Sequence, residues 1–324
     1  MKRVLITGAS GFVGANLARR LLREGHELHL LLRRSHQSWR LDEIASHVEV
    51  HEADLEDAGR VGGVVRAVRP EWVFHLAAYG AYSSQTGFAR MVATNVVGGA
   101  ALIDACVETG PEVFIQTGSS SEYGYKGHPA VEEEPVQPNS HYAISKAAAT
   151  HYCQYTARAA GINAIAVRLY SIYGPYEEPT RLVPALLVHA LQGSLPPLVS
   201  PRIARDFVYV EDAVDAMLEL AAAPRIPRGA VYNICTGRQI TLERVVNITR
   251  QLRAVPAEPV WSSMERRSWD TETWVGSPAA LEAATGWVAP TRLEEGLRLT
   301  IEWLQSNPEW RRYYTGRILP DLPV

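Results

Sequence analysis

The first half of the chain alternates short apolar runs with longer stretches in which apolar positions have helical spacing. The predicted strands cover residues 4–7, 28–32, 48–53, 72–76, 113–117 and 164–169. Strands that recur with helices between them indicate βαβ units, and strands without polar alternation indicate a sheet that is covered on both faces. The pattern therefore predicts an α/β fold with a doubly wound parallel sheet.

The rhythm changes after residue 174, where closely spaced prolines interrupt the chain and short helical patterns replace the regular alternation. We predict a first domain over residues 1–174 and a smaller, mostly helical region over residues 175–324. Within the second region, residues 207–236 are expected to return to the first domain.

Composition and charge exclude several classes of partner. The 324 residues include 32 Lys and Arg against 35 Asp and Glu, a net charge of −3. The chain therefore has no net excess of positive charge that would attract nucleic acid or an anionic membrane. No uninterrupted apolar run approaches the roughly 18 residues that a membrane helix needs. We therefore expect neither a nucleic-acid partner nor a membrane partner.

Cysteine and histidine usage adds to this interpretation. Cys106, Cys153 and Cys235 are far apart and lack metal-ligand spacing, so each is expected to be a small buried apolar residue. The histidines form no ligand pattern, and we predict no metal site. The apolar stretch after the first three residues is too short for an export signal. A reducing cytoplasm is the expected location.

A glycine-rich turn follows the first predicted strand, with the sequence TGASGFVG at residues 7–14. Glycines at this spacing allow a tight turn and let the backbone approach a pyrophosphate, while the next helix points its N-terminus at the phosphates. Strand, spacing and helix agree, so the segment predicts dinucleotide binding. The residues expected at the cofactor are Gly8, Ser10, Gly11, Phe12, Val13 and Gly14.

The end of the second predicted strand bears on which dinucleotide is bound. An acidic residue commonly stands about 20 residues beyond the glycines and binds the ribose 2′-hydroxyl, but this chain has Arg33 and Arg34 there. Guanidinium groups can clamp a 2′-phosphate, so NADP is predicted in preference to NAD. Asp54 and Leu55, after the third strand, are expected near the adenine.

Candidate catalytic groups follow at Tyr142 and Lys146. They are four residues apart in a helical stretch, so one turn places both on the same face. A nearby ammonium favours the phenolate and lowers the pKa of a tyrosine, which makes Tyr142 a usable acid or base. Ser119, Ser120 and Ser121, at the end of the fifth strand, supply hydroxyl groups for a substrate oxygen.

These segments occur in order with two more, HLAA at residues 75–78 and RDFVYV at residues 205–210. Together they resemble the extended short-chain dehydrogenase/reductase family of nucleotide-sugar epimerases, dehydratases and reductases. The resemblance covers nearly the whole chain. It implies a Rossmann-type first domain, a C-terminal substrate-binding region, a nucleotide-sugar substrate and a homodimer.

The resemblance also implies roles for individual residues. Ser119 would hydrogen-bond the sugar oxygen, Tyr142 would exchange its proton, and Lys146 would hold the nicotinamide ribose and lower the pKa of Tyr142. Along the cofactor the resemblance places Leu76, Ala77, Ala78 and Asn95, the last of which steadies the active-site helix. At the substrate we expect Tyr79, Ser120, Ser121, Arg205 and Arg267.

The chain departs from the family's dehydratases directly after Ser119. Dehydratases place an acid and a base there, whereas this chain has Ser120 and Ser121, and a hydroxyl is too weak a base to remove an α-proton near neutral pH. Glu122 takes that role only if the loop is shifted by one residue. Gly276 also stands where relatives commonly carry an aspartate.

The predicted reaction is the NADPH-dependent reduction of a nucleotide-bound 4-keto-6-deoxyhexose, with Tyr142 as the proton donor. A nucleotide-sugar epimerase is the first alternative and a 4,6-dehydratase the second. A dinucleotide-sensing binding protein is the non-enzyme alternative, which the presence of Ser119, Tyr142 and Lys146 disfavours.

Overall fold

The computed structural model describes residues 1–82, 84–265 and 271–320. Within this range the main sheet has seven strands, all parallel. They are β1 (Arg3–Thr7), β2 (Glu27–Leu32), β3 (Glu49–Glu52), β4 (Trp72–His75), β5 (Val113–Ser119), β6 (Ala164–Leu169) and β9 (Val231–Ile234). The spatial order β3-β2-β1-β4-β5-β6-β9 changes direction between β1 and β4, and doubly wound sheets bind ligands at such a switch point.

Helices cover both faces of this sheet, and the predicted α/β fold is confirmed. The helices are α1 (Phe12–Arg23), α2 (Ala58–Val68), α3 (Phe88–Met91), α4 (Gly99–Thr109), α5 (His141–Ala159), α6 (Leu182–Leu191), α7 (Val210–Ala222), α8 (Leu242–Arg253), α9 (Ala279–Thr285), α10 (Leu293–Ser306) and α11 (Pro308–Ile318). Leu17 of α1 and Met217 of α7 pack on one face of the sheet. Val65 of α2, Leu102 of α4 and Cys153 of α5 pack on the other.

A π-helical segment, Val92–Gly98, joins α3 to α4 in one continuous helix, Phe88–Thr109. By length and composition alone this helix is long and apolar enough to cross a membrane. Its inner side packs against α2 and α5 as a core helix of the sheet layer. Gly98 lies where a Cβ atom would come within 2.7 Å of the Leu55 Cβ, so the helix passes directly over the loop after β3.

A second sheet of three strands lies beyond β6, where we expected mostly helices. Its strands are β7 (Ser171–Tyr173), β8 (Ala204–Tyr209) and β10 (Gln239–Thr241), in the order β10-β8-β7. The outer two have three residues each, too few to show alternation along the sequence. Leu187 of α6, Val245 of α8 and Leu297 of α10 pack around this sheet in a second core.

The chain crosses between the two cores more than once. Helix α7 packs against α1, and β9 pairs with β6 in the main sheet. Strand β8, by contrast, belongs to the small sheet. Leu281 and Trp287, much later in the chain, pack again in the first core. Successive segments of the C-terminal half therefore alternate between the two cores.

All three cysteines are buried and unpaired. Burial raises the pKa of Cys106 and Cys153 to about 12. Both thiols therefore stay protonated near neutral pH, and a thiolate is the reactive form of cysteine. These residues contribute to packing.

Candidate active site

The glycine turn after β1 closes tightly on the end of β4. Gly8 has a φ of +74°, and a Cβ atom there would lie 2.5 Å from the Ala77 backbone nitrogen. A Cβ atom on Gly14 would lie 2.4 Å from the Gly8 carbonyl oxygen. Only glycine fits these two positions, so the backbone forms a cradle that any side chain would fill.

Helix α1 begins at this cradle. Within the described part of the chain, no side chain caps its N-terminus, and its first turn has no acidic residue. An uncapped helix N-terminus presents backbone N–H groups and a positive dipole end to an anion. The cradle and the helix together fit the pyrophosphate of a dinucleotide.

Thr7 and His75 connect the ends of β1 and β4 behind the cradle. Thr7 Oγ1 lies 2.6 Å from His75 Nδ1 and accepts a hydrogen bond from the Ala77 backbone N–H at 3.2 Å. Burial lowers the pKa of His75 to about 3, so the imidazole is neutral. This pair holds the half-buried residues Leu76 and Ala78 beside the glycine turn.

The opposite end of the predicted cofactor site lies after β2 and β3. Arg33, Arg34 and Asp54 are exposed there and line a cleft of about 500 Å³. Leu55 differs from them, because its side chain is buried against Gly98. The cleft therefore offers the guanidinium groups of Arg33, Arg34 and Arg60 together with the carboxylates of Glu52, Asp54 and Asp57, while Leu55 serves packing.

Ser119, Tyr142 and Lys146 meet at the carboxyl end of β5. The Ser119 side chain lies close enough to the Tyr142 phenol to influence its pKa, and its hydroxyl lies 2.7 Å from the Ser121 hydroxyl. The Lys146 side chain is buried, with 2% of the residue exposed, and no described residue hydrogen-bonds its ammonium. Buried donors normally have partners, so this ammonium fits a ligand oxygen such as a ribose hydroxyl.

The electrostatics of these groups differ from the sequence prediction. Burial raises the pKa of Tyr142 to about 12, and the Glu122 carboxylate acts in the same direction. The pKa of Tyr142 is thus raised, whereas the sequence analysis predicted that Lys146 would lower it, and Lys146 is not among the principal groups that shift it. Burial lowers the pKa of Lys146 to about 8. Near neutral pH, Tyr142 is a phenol and Lys146 is mostly an ammonium.

Glu122 is fully buried under the serine loop, residues 119–122. Its Oε1 accepts hydrogen bonds from the Ser119 backbone N–H at 2.8 Å and from Thr150 Oγ1 at 3.1 Å. Its Oε2 lies 2.9 Å from Arg168 Nε, and that guanidinium lies 4.4 Å from the centroid of the Tyr123 ring. The alternative in which the loop is shifted and Glu122 faces the substrate does not fit this geometry.

Asn95 lies in the π-helical segment and joins two parts of the site. Its Oδ1 accepts from the Tyr79 backbone N–H at 2.8 Å, and its Nδ2 donates to the Tyr79 carbonyl at 2.8 Å and to Ser145 Oγ at 2.9 Å. The Asn95 amide is thus hydrogen-bonded to protein groups through both its oxygen and its nitrogen. This arrangement does not fit the predicted contact between Asn95 and the cofactor. Asn95 instead steadies α5 one residue before Lys146, as the resemblance implied.

Trp274 closes the predicted substrate side, and the sequence analysis missed it. Its indole N–H donates to Ser120 Oγ at 3.0 Å, and the Arg205 guanidinium lies 5.6 Å from its ring centroid. Arg205 also donates to the Thr271 carbonyl at 3.4 Å. Arg267 lies outside the described residues. No sequence motif marks position 274, because only the fold brings this tryptophan to Ser120.

Gly276, where relatives commonly have an aspartate, has a local explanation. A Cβ atom at this position would lie 2.5 Å from the ring of Tyr170. Tyr170 is buried and takes up the space that a side chain at position 276 would need. The absent carboxylate is therefore a packing consequence of Tyr170.

A second buried carboxyl group, Glu177, lies in the loop between β7 and α6. It is 7% exposed, and its Oε2 has no hydrogen-bond partner among the described residues. Burial raises its pKa to about 8, against the attraction of Arg181 and Arg40. The positive charge of Arg181 also favours a lower pKa for Tyr142. The Arg181 guanidinium lies 5.5 Å from the centroid of the Tyr82 ring. This loop therefore borders the predicted catalytic tyrosine.

We expect Glu177 to make the stability of the protein depend on pH between about 5 and 8. Its pKa in the folded protein is raised from 4.5 to about 8, so the folded state binds the extra proton and stability falls as pH rises through this window. The expected slope from this group is about 1 kcal/mol per pH unit. Urea unfolding at both ends of the window should show a smaller loss in Glu177→Gln than in the wild type. Glu219→Gln, exposed on α7, is the control, and equal slopes in all three proteins would contradict the expectation.

Comparison with known proteins identifies the family. The model of the NAD dependent epimerase/dehydratase family matches residues 4–235. The trifunctional UDP-glucose 4,6-dehydratase/UDP-4-keto-6-deoxy-D-glucose 3,5-epimerase/UDP-4-keto-L-rhamnose-reductase of Arabidopsis thaliana is 26% identical over 98% of this chain. The chain spans about half the length of that relative, 50%. The dTDP-glucose 4,6-dehydratase of Neisseria meningitidis serogroup B is 25% identical, over 96% of this chain and 95% of its own length.

A solved structure has the same architecture. The UDP-glucose 4-epimerase of Thermotoga maritima, determined with UDP-glucose, has a TM-score of 0.85 and 27% identity, covering 95% of this chain and 100% of its own. The relatives are nucleotide-sugar enzymes, so the predictions of an enzyme and of its family are confirmed. The chain belongs to the NAD dependent epimerase/dehydratase family.

Proposed function

We propose that this enzyme reduces the keto group of a nucleotide-bound 4-keto-6-deoxyhexose with a reduced nicotinamide dinucleotide. One observation carries the proposal: the Ser119 side chain lies close enough to the Tyr142 phenol to influence its pKa, while Glu122 is bound by Arg168. Reduction needs a proton donor and a group that positions the carbonyl oxygen, and the first pair supplies both. It needs no base that removes an α-proton.

Tyr142 is in the protonation state that reduction requires. Because its pKa is raised to about 12, the phenol keeps its proton near neutral pH and can give it to the carbonyl oxygen as the alcohol forms. The Ser119 hydroxyl stabilises the negative charge that develops on that oxygen. The reduced nicotinamide, when bound, supplies the hydride. Lys146 would hold the ribose, with its ammonium charged below a pH of about 8.

Elimination of water is less well supported than reduction. Similarity to 4,6-dehydratases supports a shared fold and the use of a dinucleotide cofactor. The two positions after Ser119, however, are serines in this chain. Ser120 is hydrogen-bonded by Trp274, and Glu122 is engaged by Arg168. The serine loop therefore offers no free carboxylate as acid or base.

A nucleotide-sugar epimerase is the second candidate, which the similarity to UDP-glucose 4-epimerase favours. A 4-epimerase uses the same hydroxyl pair but must first oxidise the sugar. Oxidation begins from a tyrosine phenolate, and the raised pKa of Tyr142 opposes that form. We therefore place this candidate second.

Product analysis separates these reactions. We would incubate the enzyme with the UDP and dTDP forms of 4-keto-6-deoxy-D-glucose and NADPH or NADH, and in parallel with UDP-glucose and dTDP-glucose and NAD. Products would be separated by chromatography and identified by mass spectrometry. The expected product carries two more hydrogens than the substrate, with equal consumption of the reduced dinucleotide. Conversion of UDP-glucose to an isomer without net consumption would make it an epimerase, and loss of water from a nucleotide-bound glucose would make it a dehydratase.

We further propose that NADPH binds more tightly than NADH, although the family is described as NAD dependent. Arg33 and Arg34 are exposed at the cleft after β2, where they would meet a 2′-phosphate. Arg33→Asp is expected to weaken NADPH binding by about 10–100-fold, the size of a charged hydrogen bond, and to weaken NADH binding far less. Fluorescence titration of both dinucleotides measures this. Arg23→Gln, at the exposed end of α1, should keep the wild-type preference. A wild type that prefers NADH would overturn the assignment.

A homodimer through α5 and the helix Phe88–Thr109 is also proposed. Val97, Ile144 and Tyr155 on these helices are 59%, 46% and 68% exposed, and exposed apolar patches commonly mark protein interfaces. Sedimentation of the wild type should give a dimer and that of Val97→Glu a monomer. A monomeric wild type would contradict the proposal.

A further inference from the structure

Two histidines and a glutamate converge at the outer edge of the main sheet. His29 lies on β2, and Glu49 and His51 lie on β3. The strand register pairs His29 with Glu49 and Leu31 with His51. Since residues two apart on a strand share a face, the three side chains emerge on the same side of the two strands.

The separations of the three ligand atoms fit a metal ion. His29 Nδ1 lies 3.0 Å from His51 Nε2 and 3.5 Å from Glu49 Oε2, and His51 Nε2 lies 3.6 Å from Glu49 Oε1. Tetrahedral ligands at zinc distances of about 2.0–2.1 Å are separated from one another by about 3.3–3.4 Å. The three observed separations lie on both sides of that value, so small side-chain adjustments suffice to place an ion between them.

We propose that His29 Nδ1, His51 Nε2 and the Glu49 carboxylate form a binding site for one zinc ion, or a similar first-row divalent cation. Imidazole nitrogen with a carboxylate oxygen is a donor set that suits zinc, while calcium and magnesium prefer oxygen alone. Three protein ligands leave a fourth position for water.

A fourth residue orients the buried ligand. His29 Nε2 lies 3.2 Å from Glu27 Oε1, so its other nitrogen, Nδ1, is directed toward His51 and Glu49. Metal-bound histidines commonly use their second nitrogen in such a carboxylate contact. The Glu49 side chain is 65% exposed and that of His29 only 6%, which leaves an open path for an ion on the glutamate side.

The competing interpretation is a hydrogen bond between two neutral imidazoles. The rings are stacked with centroids 5.2 Å apart and planes 28° from parallel, and a single shared proton would account for the 3.0 Å contact between nitrogens. It does not account for the position of Glu49, which is near both nitrogens. The two interpretations differ in what happens when a metal is supplied.

The proposed ion would be structural. It would tie the edge strand β3 to β2, and the carboxyl ends of these strands carry Arg34 and Asp54 at the predicted adenosine cleft. The sequence analysis predicted no metal because His29 and His51 are 22 residues apart. Only the pairing of β2 with β3 brings them together.

Calorimetric titration of the 324-residue chain with ZnCl₂, after removal of metals by EDTA and dialysis, tests the proposal. We expect one equivalent to bind, and we expect the affinity to fall by more than a hundredfold in Glu49→Gln and in His51→Gln. Glu27→Gln should lower the affinity by about 10–100-fold, the usual effect of removing a carboxylate behind a ligand. His47→Gln, an exposed histidine close to β3, is the matched control and should bind as the wild type does. The substituted residues Glu49 and His51 are not deeply buried, so these variants are expected to fold.

Thermal unfolding gives a second measurement. A ligand that binds only the folded state raises the melting temperature, so ZnCl₂ should raise that of the wild type and of His47→Gln but not that of Glu49→Gln. MgCl₂ should raise none of them. The proposal is overturned if the wild type binds no zinc, or if Glu49→Gln and His51→Gln bind it as tightly as the wild type. In either case the imidazole hydrogen bond is the whole explanation.

Discussion

Replacement of Tyr142 by phenylalanine is expected to lower turnover of the keto-sugar by about 10²–10⁴-fold, the usual contribution of a positioned general acid. The Tyr142 phenol lies near Ser119 and keeps its proton near neutral pH, whereas a phenylalanine ring has no proton to give. Dinucleotide affinity should stay close to that of the wild type, because the glycine cradle and Lys146 are unchanged.

Turnover is read from the absorbance of the reduced dinucleotide, and affinity from its fluorescence. Tyr152→Phe, on the same helix, is the matched control, because that hydroxyl hydrogen-bonds Asp104 at the protein surface. Both quantities should stay at wild-type values in the control. Unchanged turnover in Tyr142→Phe would end its assignment as proton donor, and a loss of dinucleotide binding would instead assign it to holding the cofactor.

The second large effect is on stability. Glu122→Gln is expected to lower the free energy of unfolding by about 3–5 kcal/mol, because loss of one partner leaves a buried charge uncompensated. The carboxylate is fully buried and the Arg168 side chain is only 3% exposed. Replacing both residues together, as Glu122→Leu with Arg168→Met, should recover part of the loss, since paired apolar residues need no compensating charge.

Chemical denaturation measures these changes. Glu302→Gln is the control, because its partner Arg298 and Glu302 itself are 44% and 51% exposed, and exposed pairs contribute less than about 1 kcal/mol. If Glu122→Gln is as stable as the wild type, the Arg168 pair is not structural.

The parts of the fold that were predictable from the sequence are those with local causes. The apolar run before Gly8 and the helix after it follow from a handful of neighbouring residues, and the structure has both. Tyr142 and Lys146 share a helix, so one helical turn determines their relative position. Their location beside Ser119 follows from the parallel pairing of β5 with β6 under α5, which the βαβ pattern also indicates.

The remainder depends on contacts between distant segments. Trp274 reaches Ser120 across 154 residues, and no property of either residue announces this pairing. The pKa of Tyr142 was predicted in the wrong direction because the helical spacing to Lys146 was visible in the sequence, whereas burial and the Glu122 carboxylate were not. Glu177 was overlooked for the same reason, since a carboxyl group in a proline-rich loop is normally solvated.

The π-helical segment Val92–Gly98 leaves the helix Phe88–Thr109 with little tolerance for changes in length. It places Asn95 against Tyr79 and Ser145, while the turns that follow direct Leu102 into the core beneath the sheet. Deletion of one residue there would rotate one part of the helix against the other by about 100°. Either the Asn95 amide or the apolar face would then turn away from its partners. Homologous chains should therefore vary freely in residue type along the outer face of this segment, yet keep its number of residues constant.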